Sequence, residues 1–437
     1  MKGKILSAIE SPKELEILYQ QNPEEFQKAF PDVFAKHPDT LVLQVWHERI
    51  NYVHSSTNQQ KVDIGSYKKV FLIILLSAIG GTILNLPLHS QTIDIEWFYN
   101  RNFAGILIIS LMIYFFFQRV HSWKSVVILL GIASGALLYL NLLPNEYSRD
   151  IYRFYEKYRA FRDALTLAEL HMPLFLWLLL GVALTGKNWK ESSERMNYLR
   201  YNGELIIYTT LIVIGGTVLT GITMALLSLI EKSYELTGWY MENIIMYEIV
   251  AAPIVSTFLT EKIIGRRLNI APVLAKFFTP LFLLTTIVYL IIMAVYQKNP
   301  YNDREYLIAF NILLITVLGL LIFSVAERDP KSSTGINDYM NIGLILTTLI
   351  IDLIALSAVL FRLSNDIYGL TPNRIAILGI NLLVCGHLVG ILIYYIRFMT
   401  NKSPFIELEN WITRYLPVYA VWAMAVSIAL PLFFWYR

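Results

Sequence analysis

The chain has 437 residues, of which 56% are hydrophobic and 16% charged, against about 45–50% and about 25% in a typical soluble domain. The formal net charge of +3 supplies no concentrated basic surface, which argues against nucleic-acid binding. Cys385 is the sole cysteine, so one chain forms neither an internal disulfide nor a thiol-based metal site.

Residues 1–69 read as a soluble helical segment. Ser11-Pro12-Lys13-Glu14 has the pattern of a capping box, with proline at the first helical position. Asn22-Pro23-Glu24-Glu25 repeats the start signal, and a third start lies near His37-Pro38-Asp39-Thr40. Two or three short helices are expected, a small core for an independent domain. The first apolar run begins near Val70, after a Glu- and Lys-rich segment. That pattern predicts no cleavable signal peptide and insertion directed by the first span.

From residue 70 onward the charges cluster between apolar runs, each close to the roughly 20 residues that cross a bilayer. The runs predict eleven spans, at 70–88, 103–120, 125–143, 166–185, 205–230, 241–260, 276–296, 306–326, 340–361, 375–396 and 415–435. The fold class is therefore all-α, a polytopic transmembrane helical bundle. With the N-terminus in the cytoplasm, 24 Lys and Arg fall on that side and 12 on the other, as the positive-inside rule requires. The C-terminus is then outside.

Asn145 to Leu165 would be an outer loop. Tyr147, Ile151, Phe154, Tyr158, Phe161 and Leu165 step along one helical face, and Arg149, Arg153 and Lys157 along another. An amphipathic helix at the membrane interface is one reading, and a helix packed on neighbouring loops is the other. The basic face also suits an anionic lipid or polymer.

Two stretches carry a family resemblance. One is Ile367-Tyr368-Gly369-Leu370-Thr371-Pro372-Asn373-Arg374, and the other is His171-Met172-Pro173-Leu174-Phe175-Leu176-Trp177-Leu178. With the span count, they resemble the bacterial membrane family known as domain of unknown function forty-one fifty-three. The segment from Ser11 to Tyr52 is similar to the leader of its Bacteroidetes-type members. The resemblance implies a bacterial inner-membrane protein and brings no reaction or substrate. Read by its own chemistry, the first stretch is a tight helical hairpin. Gly369 suits a left-handed helix end, Thr371 an N-cap and Pro372 the first helical position. Arg362, Asp366, Tyr368 and Arg374 are the candidate lining of an outer vestibule.

Ionisable residues at membrane depth cost about 2.5–3.5 kcal/mol on insertion scales and usually face a bundle interior or a wet cavity. Asp352, Glu248 and His387, with Thr348 and Asn381, form the candidate intramembrane polar site. Carboxylates and imidazole in low dielectric suit proton or cation relay; the competing reading is polar contacts that orient the bundle. Asp352 is expected to face protein. Glu169 and His171 lie near an outer boundary and read as structural. Pro253 predicts a kink five residues after Glu248, a device that can free a carbonyl beside a carboxylate. Four-spaced small residues predict close helix approach at Gly216, Thr217, Thr220 and Gly221, at Gly131 and Gly135, and at Gly386 and Gly390. The neighbours they seat belong to the same chain or to a second copy.

No phosphate loop, dinucleotide fingerprint, Gly-x-Ser-x-Gly elbow or His-Glu-x-x-His is present in the sequence. No cofactor, metal or catalytic residue is expected from it. The partners it implies are the lipid bilayer, a cytoplasmic protein docked on residues 1–69 and a second copy of the chain. Three functions stay open. Transport or sensing of a small solute, ion or lipid near Asp352 expects a hydrated route to the carboxylate. A structural or accessory subunit expects an apolar patch on the N-terminal helices. An enzyme on lipid-linked substrates expects a lateral groove with outer carboxylates such as Asp94, Glu96 or Asp366.

Overall fold

The structure is a computed structural model. It describes residues 1–9, 11–58, 64–119, 121–144, 159–227, 233–263, 271–295, 301, 304–326, 328, 334–365 and 370–435. Among these residues the regular secondary structure is helical throughout. The chain divides into two units, Met1–Phe71 and Leu72–Arg437.

The first unit contains α1 (Lys2–Ser7), α2 (Pro12–Gln21), α3 (Pro23–Phe34) and α4 (Leu41–Asn58). Ser11 caps α2 by accepting from the Glu14 amide at 3.4 Å, and Asn22 caps α3 by accepting from the Glu25 amide at 3.3 Å. The capping box is only half formed, because the Ser11 amide donates to the Ala8 carbonyl instead. Ile5, Leu15, Phe26, Phe30, Leu43 and Trp46 close a single core. Two surface ion pairs, Lys2–Asp32 and Arg49–Glu16, tie its helices together.

The second unit begins within α5 (Ile64–His89), and α6 (Ile95–Gln118), α7 (Trp123–Leu142), α8 (Arg159–Thr185) and α9 (Ser192–Leu227) are followed by α10 (Ser233–Asn243) and α11 (Ile245–Ile263). Then come α12 (Ala271–Val295), α13 (Arg304–Ala326), α14 (Ile336–Asn365), α15 (Pro372–Met399), α16 (Phe405–Met424) and α17 (Leu430–Phe434). Among the described residues, eleven helical segments are long and apolar enough to cross a membrane, α10 with α11 and α16 with α17 each making one. Their outward residues are apolar: Phe117 and Leu142 are exposed although the positions on either side are partly or fully buried. Lipid is the solvent that makes such a surface stable.

Two apolar cores organise the bundle. One joins α5 to α9 with α11, and the other joins α9 with α13 to α16. The near side is where α6 ends and α7 begins, and where α15 ends and α16 begins. The far side is where α5 ends and α6 begins, and where α14 ends and α15 begins.

Several helix ends differ from their sequence-based positions. The second span starts at Ile95, because Asp94 caps it by accepting from the Trp97 amide at 2.7 Å. The last starts at Phe405, ten residues earlier than its hydropathy suggests; Glu407, Glu409 and Arg414 dilute that stretch. Between α16 and α17, Ala425–Ala429 form a π-helical turn. Pro431 has no amide to offer the Ser427 carbonyl and crowds it, which widens the turn. The Tyr139 hydroxyl donates to the Ile428 carbonyl at 3.2 Å within this turn.

Most of the proposed amphipathic helix, 145–158, lies outside the described residues. Its last part belongs to α8, where Leu165 is buried and Phe161 packs edge-on to Trp435 at 5.0 Å. The small-residue pairs behave unequally. A Cβ built at Gly131, Gly135, Gly216 or Gly221 meets nothing within 4 Å, so those glycines seat no neighbour among the described residues. At Gly390 a Cβ would lie 1.9 Å from the Trp411 ring, and at Gly379 it would lie 2.0 Å from Trp422. The α15–α16 contact therefore depends on glycine.

Candidate functional site

The middle of α14 and α15 gathers the polar residues that the bundle core would otherwise exclude. Asp352 is 0% exposed, and neither of its carboxyl oxygens meets a hydrogen-bond partner. Its polar neighbour is the Cys385 thiol on α15, which interacts with the carboxyl without completing a well-formed hydrogen bond. Thr348, one turn earlier, is spent on its own helix, donating to the Leu344 carbonyl at 2.6 Å.

His387 follows two positions after Cys385 and is also buried. Its Nδ1 lies 3.0 Å from the Tyr419 hydroxyl on α16, and its Nε2 has no partner. The imidazole stacks flat on Tyr415, with centroids 4.2 Å apart and planes 2° from parallel. Gly386 permits this approach, since a Cβ there would be 2.9 Å from the Tyr415 hydroxyl. The Trp411 indole donates to the His387 carbonyl at 3.1 Å and fixes that turn of α15 against α16. Tyr419 lies within electrostatic reach of Asp352, and Tyr415 within reach of Cys385. Asp352, Cys385, Tyr415, Tyr419 and His387 thus form one group across three helices, with Asp352 and His387 buried and the other three half-buried. Asn381, one turn before Cys385, is buried with its amide nitrogen unpartnered.

A second polar group lies at the near side on the same face of α14. Asp338 accepts from Arg328 Nε at 2.9 Å, from Arg328 Nη2 at 3.2 Å, from the Gly335 amide at 2.9 Å and from the Tyr395 hydroxyl at 2.7 Å. Asn341 donates to the Ser324 and Tyr395 hydroxyls at 2.8 and 3.0 Å. Positions 338, 341, 345, 348 and 352 share one helical stripe, and all five residues are buried. At about 1.5 Å per residue the stripe climbs roughly 21 Å from Asp338 to Asp352. Leu344 and Ile345 fill the step between Asn341 and Thr348, and both are buried.

Glu248 does not join Asp352. It sits in the first turn of α11 and accepts from the Tyr240 hydroxyl at 3.2 Å and from Thr220 at 3.4 Å. The helix break nearby is at Ile244, between α10 and α11, whereas α11 runs on through Pro253. Of the candidate vestibule residues, Arg362 donates to the Tyr301 carbonyl at 2.8 Å. Thr371 caps α15 by accepting from the Arg374 amide at 3.4 Å. Asp366 and Tyr368 lie outside the described residues.

Two ion pairs, one buried and one partly buried, are invisible to hydropathy. Arg101, 3% exposed on α6, donates to Glu169 at 2.8 Å and to the carbonyls of Leu140, Leu143 and Pro144 at 3.0, 2.6 and 2.8 Å. It joins α6, the end of α7 and α8 at the far side. At the near side, Arg200 reaches Glu409 at 3.2 Å and the Ala326 carbonyl at 2.6 Å. His171 bonds the Leu167 carbonyl of its own helix at 2.9 Å. Among the described residues there is no cluster of three His, Cys, Asp or Glu able to hold a metal.

Comparison with protein-family models, with curated proteins and with solved structures finds no match to this chain.

Proposed function

We propose that this chain is a proton-coupled membrane transporter in which Asp352 takes up and gives off the proton. The observation that carries the reading is the Asp352 carboxyl, wholly enclosed at mid-span with both oxygens unpartnered. A negative charge in that setting costs several kcal/mol and is not offset here, so the enclosed conformation holds the neutral acid. A group whose charge is tolerated only when water or a cation reaches it couples protonation to conformation. His387 and Tyr419 extend the group on one side. The α14 stripe leads from it to Asp338 at the near side. Leu344 and Ile345 close that route in the enclosed state, and their displacement would open it. The solute moved is small, and its class is set by the opened state. The reading puts the N-terminus on the cytoplasmic side, on the strength of the Lys and Arg distribution, and takes a bacterial inner membrane from the family resemblance alone.

Of the other readings, an accessory subunit draws some support from Leu41 and Val45. Both are exposed one turn apart on α4 and suit a partner protein. The enzyme reading draws none from the lateral groove between α8, α9 and α16, because no carboxylate lines it.

Cys385 is a built-in probe, being the sole cysteine and a neighbour of Asp352. In membrane vesicles, a small membrane-impermeant thiol reagent is expected to modify it from one side, faster when turnover populates the open state. Complete protection from both sides, in protein that a permeant reagent does modify, would make Asp352 a dry structural residue.

A further inference from the structure

We propose that the groove between α8, α9 and α16 binds an anionic phospholipid. One acyl chain lies in the groove, and the phosphate sits on Arg195 and Arg414. The cavity has a volume of about 260 Å³ and an apolar wall that includes Phe175, Leu179, Val182, Leu416 and Ala420. Tyr198 forms part of the wall; Gly181 leaves room for its ring, since a Cβ there would be 2.8 Å away. Val421, 61% exposed, also lines the groove, which therefore opens sideways on the bundle, where lipid chains lie.

One guanidinium lines this apolar space. Arg195 Nη2 donates to the Lys190 carbonyl at 3.2 Å, while its Nε is buried and has no partner. Arg414 stands close enough to repel it. Glu191 and Glu194 are in the adjoining turn, yet neither forms an ion pair with Arg195 among the described residues. Two like charges beside an apolar slot are stabilised by an anion that carries its own apolar tail. Trp189 lines the same groove and is exposed, as the indoles that mark the headgroup level are. Nearby, the Lys190 ammonium lies 5.4 Å from its ring centre and adds positive charge to this side. Guanidinium groups suit phosphate because their donors fork onto two oxygens. This inference does not depend on the transport reading.

The test is equilibrium binding of dioleoylphosphatidylglycerol and dioleoylphosphatidylcholine to the delipidated full-length chain in detergent, read by native mass spectrometry. The anionic lipid is expected to bind at least about tenfold more tightly, a difference that one added charge contact can supply. The preference is expected to vanish in R195Q/R414Q and to persist in R195K/R414K, which also reports that the fold is intact. Ala420→Trp, which fills the slot, is expected to abolish binding of both lipids. Equal affinity for the two lipids, an unchanged preference in R195Q/R414Q, or full displacement of the lipid by inorganic phosphate alone would overturn the proposal.

Discussion

Replacing Arg101 by methionine should be among the most destabilising single changes in this bundle. The guanidinium makes four donations of 2.6 to 3.0 Å, one to Glu169 and three to backbone carbonyls at the end of α7. Methionine fills most of the volume, so packing is nearly conserved and the loss is electrostatic. Breaking a buried ion pair by removing one partner costs about 3–5 kcal/mol, because the other charge stays behind unpaired. The far-side position lets water or headgroups relieve part of this, which favours the lower end, about 3 kcal/mol. Glu169→Gln should cost only about 1 kcal/mol, since the amide oxygen still accepts and the carbonyls keep their donors. Arg101→Lys should fall between the two, as one ammonium cannot span three carbonyls and a carboxylate. Reversible unfolding in mixed detergent micelles, followed by circular dichroism, measures all three. An Arg101→Met variant within about 0.5 kcal/mol of the wild type, or Lys equal to Arg, would refute the reasoning.

The glycine contacts give a paired test. Gly390→Ala must push against the Trp411 ring and is expected to cost about 1–3 kcal/mol by overpacking, whereas Gly131→Ala, in open space, is expected to be neutral or stabilising; the same unfolding assay separates them. In the N-terminal unit, hydrogen bonding from Arg49 holds the Glu16 carboxyl below its usual range, and Lys2 does the same for Asp32. Both acids are lowered on folding, so the stability they contribute is full above the ordinary carboxylate range. It is lost as pH falls through the folded values, below about pH 4. Fluorine NMR of fluorotryptophan at Trp46 should show these helices loosening in that window, and Arg49→Met should lack the Glu16 share. Loosening that begins near neutrality, or an identical profile in Arg49→Met, would contradict the assignment.

The span count was legible because lipid contact demands roughly 20 apolar residues per crossing, and that demand is written directly in the sequence. Helix ends were less so. Asp94 and its cap to Trp97 were visible as a start signal, and using it would have moved Arg101 from a loop into α6. Charged residues that pair inside the bundle lower hydropathy just as loop residues do, which is why Phe405–Arg414 read as a connection. Asp352 and His387 could be singled out by their depth. Their grouping through Cys385, Tyr415 and Tyr419 depends on which faces of α14, α15 and α16 meet, a tertiary fact. Glu248 has the same kind of depth and sits among different helices. The stripe from Asp338 through Asn341 and Thr348 to Asp352 was present as spacing. Asp338 lies at a helix start, however, where a carboxylate is ordinarily a capping charge. The glycine pairs show the converse: spacing alone flagged α7, α9 and the Gly386–Gly390 pair on α15, yet packing uses only the α15 pair among these and adds Gly379, which spacing did not mark.

The central claim is that the Asp352 carboxyl exchanges its proton with water. Infrared spectra of the full-length protein in nanodiscs, compared with Asp352→Asn across about pH 4 to about pH 9, test it most directly. The account predicts a carboxylic-acid carbonyl band that is absent in Asp352→Asn and that disappears reversibly as pH rises. A band that persists unchanged over the whole range, or no band assignable to Asp352 at any pH, would contradict it.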